Sequence, residues 1–157
     1  MSGIRTLFAL GLVICLMAGC AAASGEAPAV TAEPAMPPVD LDLSGLSGTV
    51  VYAQVFNMMM DPDAYIGKVI RLSGWYSVYE DEERGVVYHA CVIPDAAACC
   101  AQGIEFLWRG EHLWPDDYPG PGEEIMVTGR LTTYEEDGYE YLLLTDASLA
   151  WVLDGEG

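Results

Sequence analysis

The sequence predicts a mainly β fold, a small five-stranded barrel that one helix precedes. Segments rich in β-branched and aromatic residues follow one another from Lys68 to Trp151, a pattern typical of short strands. Two of these segments contain a glycine, Gly74 and Gly129, as expected where a strand bends to close a sheet. About a hundred residues are available, enough for one modest core. These observations favour a single closed sheet.

The chain begins with a secretory leader that ends at a cysteine. One positive charge, Arg5, precedes an apolar run from Leu7 to Met17, which is too short to span a bilayer comfortably. Small residues then lead to Cys20, as at a cleavage site. The stretch resembles the lipobox of bacterial lipoproteins, which implies a signal peptide over residues 1–19 and a lipid-modified (palmitate-bearing) Cys20. We therefore expect localisation in the cell envelope, lipid-anchored on the extracytoplasmic face.

A flexible tether is predicted over residues 20–48, followed by one domain over residues 49–157. The tether is rich in Ala, Pro, Ser, Gly and acidic residues, a composition with too little apolar surface to offset the entropy of ordering. Such a segment would hold the domain away from the membrane surface.

The charge of the chain restricts its partners. All 24 acidic residues follow Cys20, and the formal net charge is −18. Nucleic acid is disfavoured because its phosphates need a basic surface. Anionic lipid is disfavoured as well, so the acyl chains must supply the membrane attachment. Cations or a basic partner fit the charge best.

The element before the strands is predicted to be a helix from Thr49 to Met60. Val51, Val55 and Met58 recur at helical spacing, and Pro62 ends the helix by removing a backbone donor. A hairpin follows, with an acidic turn over residues 80–85, and a second hairpin is predicted around Glu136-Asp137-Gly138. The predicted strands are Lys68 to Tyr79, Val86 to Ile93, Gly103 to Trp108, Glu124 to Tyr134, and Tyr139 to Leu144 with a last segment through Trp151.

Two phrases resemble the oligonucleotide/oligosaccharide-binding (OB) barrel family. They are DPDAYIGKVIRLSG, residues 61–74, and PGEEIMVTG, residues 121–129. The tract from Cys91 to Phe106 is similar to small bacterial envelope proteins of unknown function with such barrels, some of whose relatives are suspected of roles in metal handling. The resemblance implies an OB-like barrel. A small β-sandwich is the rival, distinguished by whether the sheet closes.

Four residues carry the candidate chemistry: His89, Cys91, Cys99 and Cys100. His89 and Cys91 lie two apart on a strand and share a face. Three thiolates and one imidazole form a Cys₃His set of the kind that holds structural zinc. A disulfide between Cys91 and Cys99 or Cys100 is the alternative, because exported domains lie in oxidising surroundings. A vicinal disulfide between Cys99 and Cys100 and a redox-active thiol also remain open.

The sequence predicts no enzyme, since it contains no nucleophile elbow, phosphate loop or zincin motif. Its many aromatic residues, among them Trp75 and Trp108, could form a binding platform for sugars or peptides on an OB-like barrel. The predicted function is a binding or accessory module that holds zinc near an envelope transporter or another envelope partner. The alternative is a disulfide-stapled interaction module without metal or catalysis. The sequence leaves the oligomeric state open.

Overall fold

A computed structural model describes residues 38–97 and 100–151, which belong to one compact unit. The order of elements confirms the predicted mainly β, OB-like fold with one preceding helix. The elements are β1 Leu41–Asp42, α1 Gly48–Met60, a 3₁₀ turn Pro62–Ala64, β2 Val69–Asp81, β3 Val86–Pro94, β4 Ala101–Trp108, β5 Glu124–Glu136 and β6 Tyr139–Trp151.

The folded unit begins before the predicted boundary at Thr49. Residues Leu41 and Asp42 pair in parallel with Ile70 and Arg71 of β2. The next residue, Leu43, is only 1% exposed and belongs to the core. The end of the predicted tether is therefore part of the domain, because one strand pairing and one buried leucine hold it. The rest of that tether, like the predicted signal peptide and Cys20, lies outside the described residues.

Helix α1 packs against the sheet through one apolar face. Val51, Val55 and Met58 are buried, and their spacing of four and three places them on the same side of the helix. The helix contacts β3, β4 and β6. It ends at Met60. The backbone N–H of the next residue, Asp61, donates to the Asn57 carbonyl, and Pro62 begins the 3₁₀ turn.

The five long strands close into a ring because β2 has two successive partners. Residues Val69 to Trp75 pair with β5, and residues Trp75 to Asp81 pair with β3. Strand β4 pairs with β3 and, in parallel, with β6, which pairs with β5. The β2–β5 and β4–β6 pairings therefore close the sheet. A closed sheet excludes the alternative prediction, a small β-sandwich.

Gly74 lies at the point where β2 changes partners. A Cβ atom at this position would lie 2.7 Å from both Cys91 Sγ and the Val92 carbonyl oxygen. The strands therefore approach so closely that only glycine fits.

Gly129 has a comparable role opposite an irregularity in β6. Between Thr128 and Arg130, β5 passes two residues while β6 passes three, which marks a bulge around Asp146. Asp146 has a φ of 49°, a left-handed conformation that aspartate tolerates better than most residues. A Cβ atom on Gly129 would lie 2.9 Å from Leu144 Cβ. The bulge and the glycine together bend this side of the ring.

The core lies inside the ring and beneath α1. Its fully buried side chains come from every long strand and from the helix, and the largest are Tyr76 and Phe106. Among the residues that the structure describes, no helix has the length and apolar character needed to cross a membrane.

We expect Gly74→Ala to destabilise the protein by about 1–3 kcal/mol, because the added methyl group must displace Cys91 and the β3 backbone. Gly45→Ala is the matched control, since nothing lies within 4 Å of a Cβ at that glycine. Urea unfolding followed by tryptophan fluorescence measures both. Equal stability of the two variants would contradict the close approach at Gly74.

Candidate functional site

Two hairpin tips face each other on the outside of the ring. The first joins β2 to β3 through residues 82–85, and the second joins β5 to β6 through Asp137 and Gly138. Asp137 and Gly138 have positive φ angles of 51° and 82°, as in a type I′ turn. Such a turn matches the twist of the flanking strands, so the β5–β6 hairpin projects its last side chains in a defined register.

Each hairpin carries a stacked pair of tyrosines. Tyr79 lies opposite Tyr88 in the β2–β3 register, with ring centroids 6.1 Å apart. Tyr134 lies opposite Tyr141 in the β5–β6 register, with centroids 5.3 Å apart. Cross-strand aromatic pairs stabilise hairpins. They also present flat ring faces at two sides of the space between the hairpins.

Carboxylates on other strands hold two of the tyrosine hydroxyls. Tyr88 Oη donates to both carboxylate oxygens of Glu136, at 2.9 and 3.1 Å. Tyr134 Oη donates to Glu105 Oε2 at 2.7 Å. These are hydrogen bonds to charged acceptors, which are shorter and stronger than neutral ones. They connect β3 to β5 and β5 to β4, so the tyrosine rings have fixed positions.

Arg84 bridges the two turns. Its Nη2 lies 2.6 Å from Asp137 Oδ2, and its Nη1 lies 3.4 Å from Asp81 and 3.6 Å from Glu136. Exposed ion pairs contribute little individually. A guanidinium shared among three carboxylates nevertheless sets the spacing of the two tips.

The space between the hairpins is a cavity of about 270 Å³, which we call the hairpin cleft. Four tyrosines line it, together with four carboxylates, one guanidinium and the small residues Ser77 and Ala90. The tyrosines are Tyr79, Tyr88, Tyr134 and Tyr141, and the charged residues are Asp81, Arg84, Glu105, Glu136 and Asp137. Its formal charge is therefore strongly negative. Its volume lies just below the range that is typical of small-ligand pockets.

Burial and neighbouring groups shift the pKa values of the lining. Burial raises the pKa of Glu105, the hydrogen bond from Tyr134 lowers it, and the charge of Glu136 raises it again. The hydrogen bond to Glu136 raises the pKa of Tyr88, and burial followed by the Glu105 contact raises that of Tyr134. The hydroxyls therefore stay protonated as donors at neutral pH.

A second aromatic group lies on the inner face of β3. Tyr76 Oη is 2.7 Å from His89 Nδ1, and the His89 ring stacks on Tyr118 with centroids 4.1 Å apart. Burial raises the pKa of Tyr76 and lowers that of His89, so it favours the uncharged form of both groups that share this hydrogen bond. Trp114 and Tyr118, from the β4–β5 connection, pack over this pair. The imidazole of His89 is therefore already hydrogen-bonded within the protein, to Tyr76.

The structure separates two of the predicted thiol ligands. Cys91 shares the inner face of β3 with His89, as the spacing predicts, and is 0% exposed in the core. Cys100 is exposed at the other end of the β3–β4 hairpin, where its backbone pairs with Asp95. Cys91 lies opposite Ile104, so Cys100 is four residues away, roughly 13 Å along the strand.

That separation exceeds the reach of a disulfide between Cys91 and Cys100. Within residues 38–97 and 100–151, no group of three or more His, Cys, Asp or Glu side chains could hold a metal ion. Cys99 lies outside the described residues. A disulfide that involves Cys99 therefore stays a prediction, whereas Cys91 and Cys100 lie too far apart to bind one zinc ion together, as the Cys₃His set requires.

The sequence predicts a binding platform among the aromatic residues in general, but it does not predict the acidic partners of the tyrosine hydroxyls. The sequence gave no indication of the roles of Arg84, Glu105 and Glu136. Acidic residues are so frequent in this chain that no pair of them is distinctive. The tryptophans chosen from the sequence lie elsewhere: Trp75 is half exposed outside the cleft, and Trp108 stacks on His112. An indication was available in the alternation of β2 and β3, which places Tyr79 and Tyr88 on the outer face.

No protein-family model matches the sequence, and no curated protein matches it. Among solved structures, the chain is similar to the OB domain of Ta0387 from Thermoplasma acidophilum, with 13% sequence identity and a TM-score of 0.30. The similarity covers 74% of this chain and 91% of that one.

We expect Cys91 to resist alkylation in the native protein. Burial raises the pKa of its thiol to about 12, and only the thiolate reacts rapidly. Treatment with iodoacetamide at pH 8, followed by peptide mass spectrometry, should leave Cys91 unmodified until urea unfolds the domain. Rapid modification without denaturant would show that this part of the ring opens.

Proposed function

We propose that this chain is a lipid-anchored binding protein of the cell envelope, without catalytic activity, that holds a small ligand in the hairpin cleft. The anchor is Cys20 and the domain lies on the extracytoplasmic face, where the protein acts as an accessory module beside an envelope partner such as a transporter. The proposal rests on the cavity between two stacked tyrosine pairs. In each pair, a carboxylate accepts a hydrogen bond from one tyrosine hydroxyl and fixes its position.

The cleft has the features that a binding site needs. Tyrosine offers a large contact area with few rotatable bonds, so little entropy is lost when a ligand binds. Hydrogen bonds that already exist in the free protein fix Tyr88 and Tyr134, which further reduces the cost of binding. Tyr79 and Tyr141 keep exposed ring surface, available to a ligand.

The anchor rests on the sequence of the leader. A short apolar run, small residues and Cys20 occur in the order that lipoprotein processing requires. The acidic chain gains no electrostatic attraction to anionic lipid, so membrane attachment would depend on acylation of Cys20.

We therefore expect Cys20→Ser to move the protein from the membrane fraction to the soluble fraction of the producing cell. Mass spectrometry should detect acyl chains on the N-terminal peptide of the wild type alone. Cys100→Ser is the control, since that residue is part of the folded domain and should leave membrane attachment unchanged. Retention of Cys20→Ser in the membrane would contradict the anchor without affecting the cleft.

We expect Tyr79→Ala to weaken ligand binding at least tenfold, because it removes a wall of the cleft. Tyr139→Ala is a closely matched control. The two tyrosines are 65% and 69% exposed, but only Tyr79 lines the cavity. Glycan and peptide arrays and a thermal-shift screen of small metabolites identify ligands of the full-length protein, and titration compares the variants. Equal loss in both variants would contradict binding in the cleft.

A further inference from the structure

The hairpin cleft combines ring faces with an excess of negative charge. Four carboxylates and only one guanidinium line a cavity whose walls are four tyrosines. A neutral sugar would use the rings and could donate hydrogen bonds to the carboxylates, but it would leave their excess charge unneutralised. An anion would be repelled by it. Among the ligands that aromatic walls can accommodate, the negative charge therefore favours those that carry a positive charge.

We infer that the ligand of the hairpin cleft is an organic cation that carries a quaternary or protonated ammonium group. The inference rests on the proposed function and names its ligand class. Aromatic rings attract such cations through their negative faces, and cages of several rings are a known means of recognising quaternary ammonium. Tyr79 and Tyr141 present the exposed faces, one from each hairpin.

Three of the carboxylates already pair with a delocalised cation of the protein itself, the Arg84 guanidinium. The guanidinium contacts Asp81, Glu136 and Asp137 at the end of the cleft where the two turns meet. Glu105 lies away from that end, on β4 opposite Ala90, and its carboxylate is bonded to the Tyr134 hydroxyl. It is the carboxylate of the lining that has no contact with the guanidinium, so it supplies the charge for a bound ammonium group.

The cavity volume limits the size of the cation. About 270 Å³ accommodates a substituted ammonium head and a short chain, whereas a long polymer would extend beyond the cleft. The same head group occurs in free compounds such as choline and in methylated lysine side chains of peptides. The shared chemistry is the ammonium group, and the two sources are separated by experiment.

The test compares choline with 3,3-dimethylbutan-1-ol, its neutral isostere, by calorimetric titration of the full-length protein in a non-ionic detergent. We expect choline to bind at least tenfold more tightly, and its affinity alone to fall as salt is added, since salt screens charge. A trimethyllysine peptide forms a second arm, and tighter binding of the peptide would identify a protein source for the cation. Equal affinity for choline and its isostere, or no binding of choline, would overturn the inference.

Variants of the lining separate the contributions of charge and ring. Glu105→Gln keeps an acceptor for Tyr134 and should weaken choline binding about fivefold or more. Glu111→Gln removes the same charge from an exposed residue outside the cleft and should change little. Tyr79→Leu should cost about 3- to 30-fold, whereas Tyr79→Phe should retain most of the affinity. Circular dichroism confirms that each variant is folded.

Failure of the inference and failure of the proposed function give different results. If neutral ligands bind and Tyr79→Ala abolishes their binding, the cleft is a binding site and only the cationic class is wrong. If choline binds but Glu105→Gln and Tyr79→Leu have no effect, the cation binds elsewhere, and the inference fails.

Discussion

The close approach of β2 and β3 at Gly74 is the constraint on which the rest of this structure depends. At the next residue, Trp75, β2 ends its pairing with β5 and begins its pairing with β3. Because no side chain separates the backbones there, one long strand can belong to two sides of the ring. Cys91 fills the space beneath, fully buried. Its contribution in the described structure is packing.

Ring closure also determines where the hairpin tips lie. The C-terminal half of β2 pairs with β3 and forms the first hairpin. Strands β5 and β6 form the second hairpin. Both hairpins therefore leave the ring on the same side and face each other across the outer surface of β2, β3 and β4. Tyr88 and Glu136, from different hairpins, can meet only because the sheet is closed. The hairpin cleft is thus a consequence of the topology.

The side chains on the inner and outer faces of β3 have different surroundings. On the inner face, His89 and Tyr76 form a hydrogen-bonded pair that the β4–β5 connection covers with Trp114 and Tyr118. On the outer face, Tyr88 contributes to the cleft. The polar atoms of the inner pair satisfy each other, which avoids the cost of burying an unpaired donor. The outer tyrosines keep exposed surface and line the hairpin cleft, so the site that we propose for ligand binding lies on the outer face.

The sequence by itself determined the helix, the five long strands and both hairpin turns, because period-2 alternation, Asp137-Gly138 and the breaks at Pro62 and Gly85 are local signals. It also placed His89 and Cys91 on one face. It placed the start of the domain too late, since a two-residue strand such as β1 exists only through its pairing with β2. Only the tertiary structure decided which acids meet which tyrosines. Tyr88 and Glu136 are 48 residues apart, and Tyr134 and Glu105 are 29 apart. No local pattern records such contacts, because the closed ring creates them.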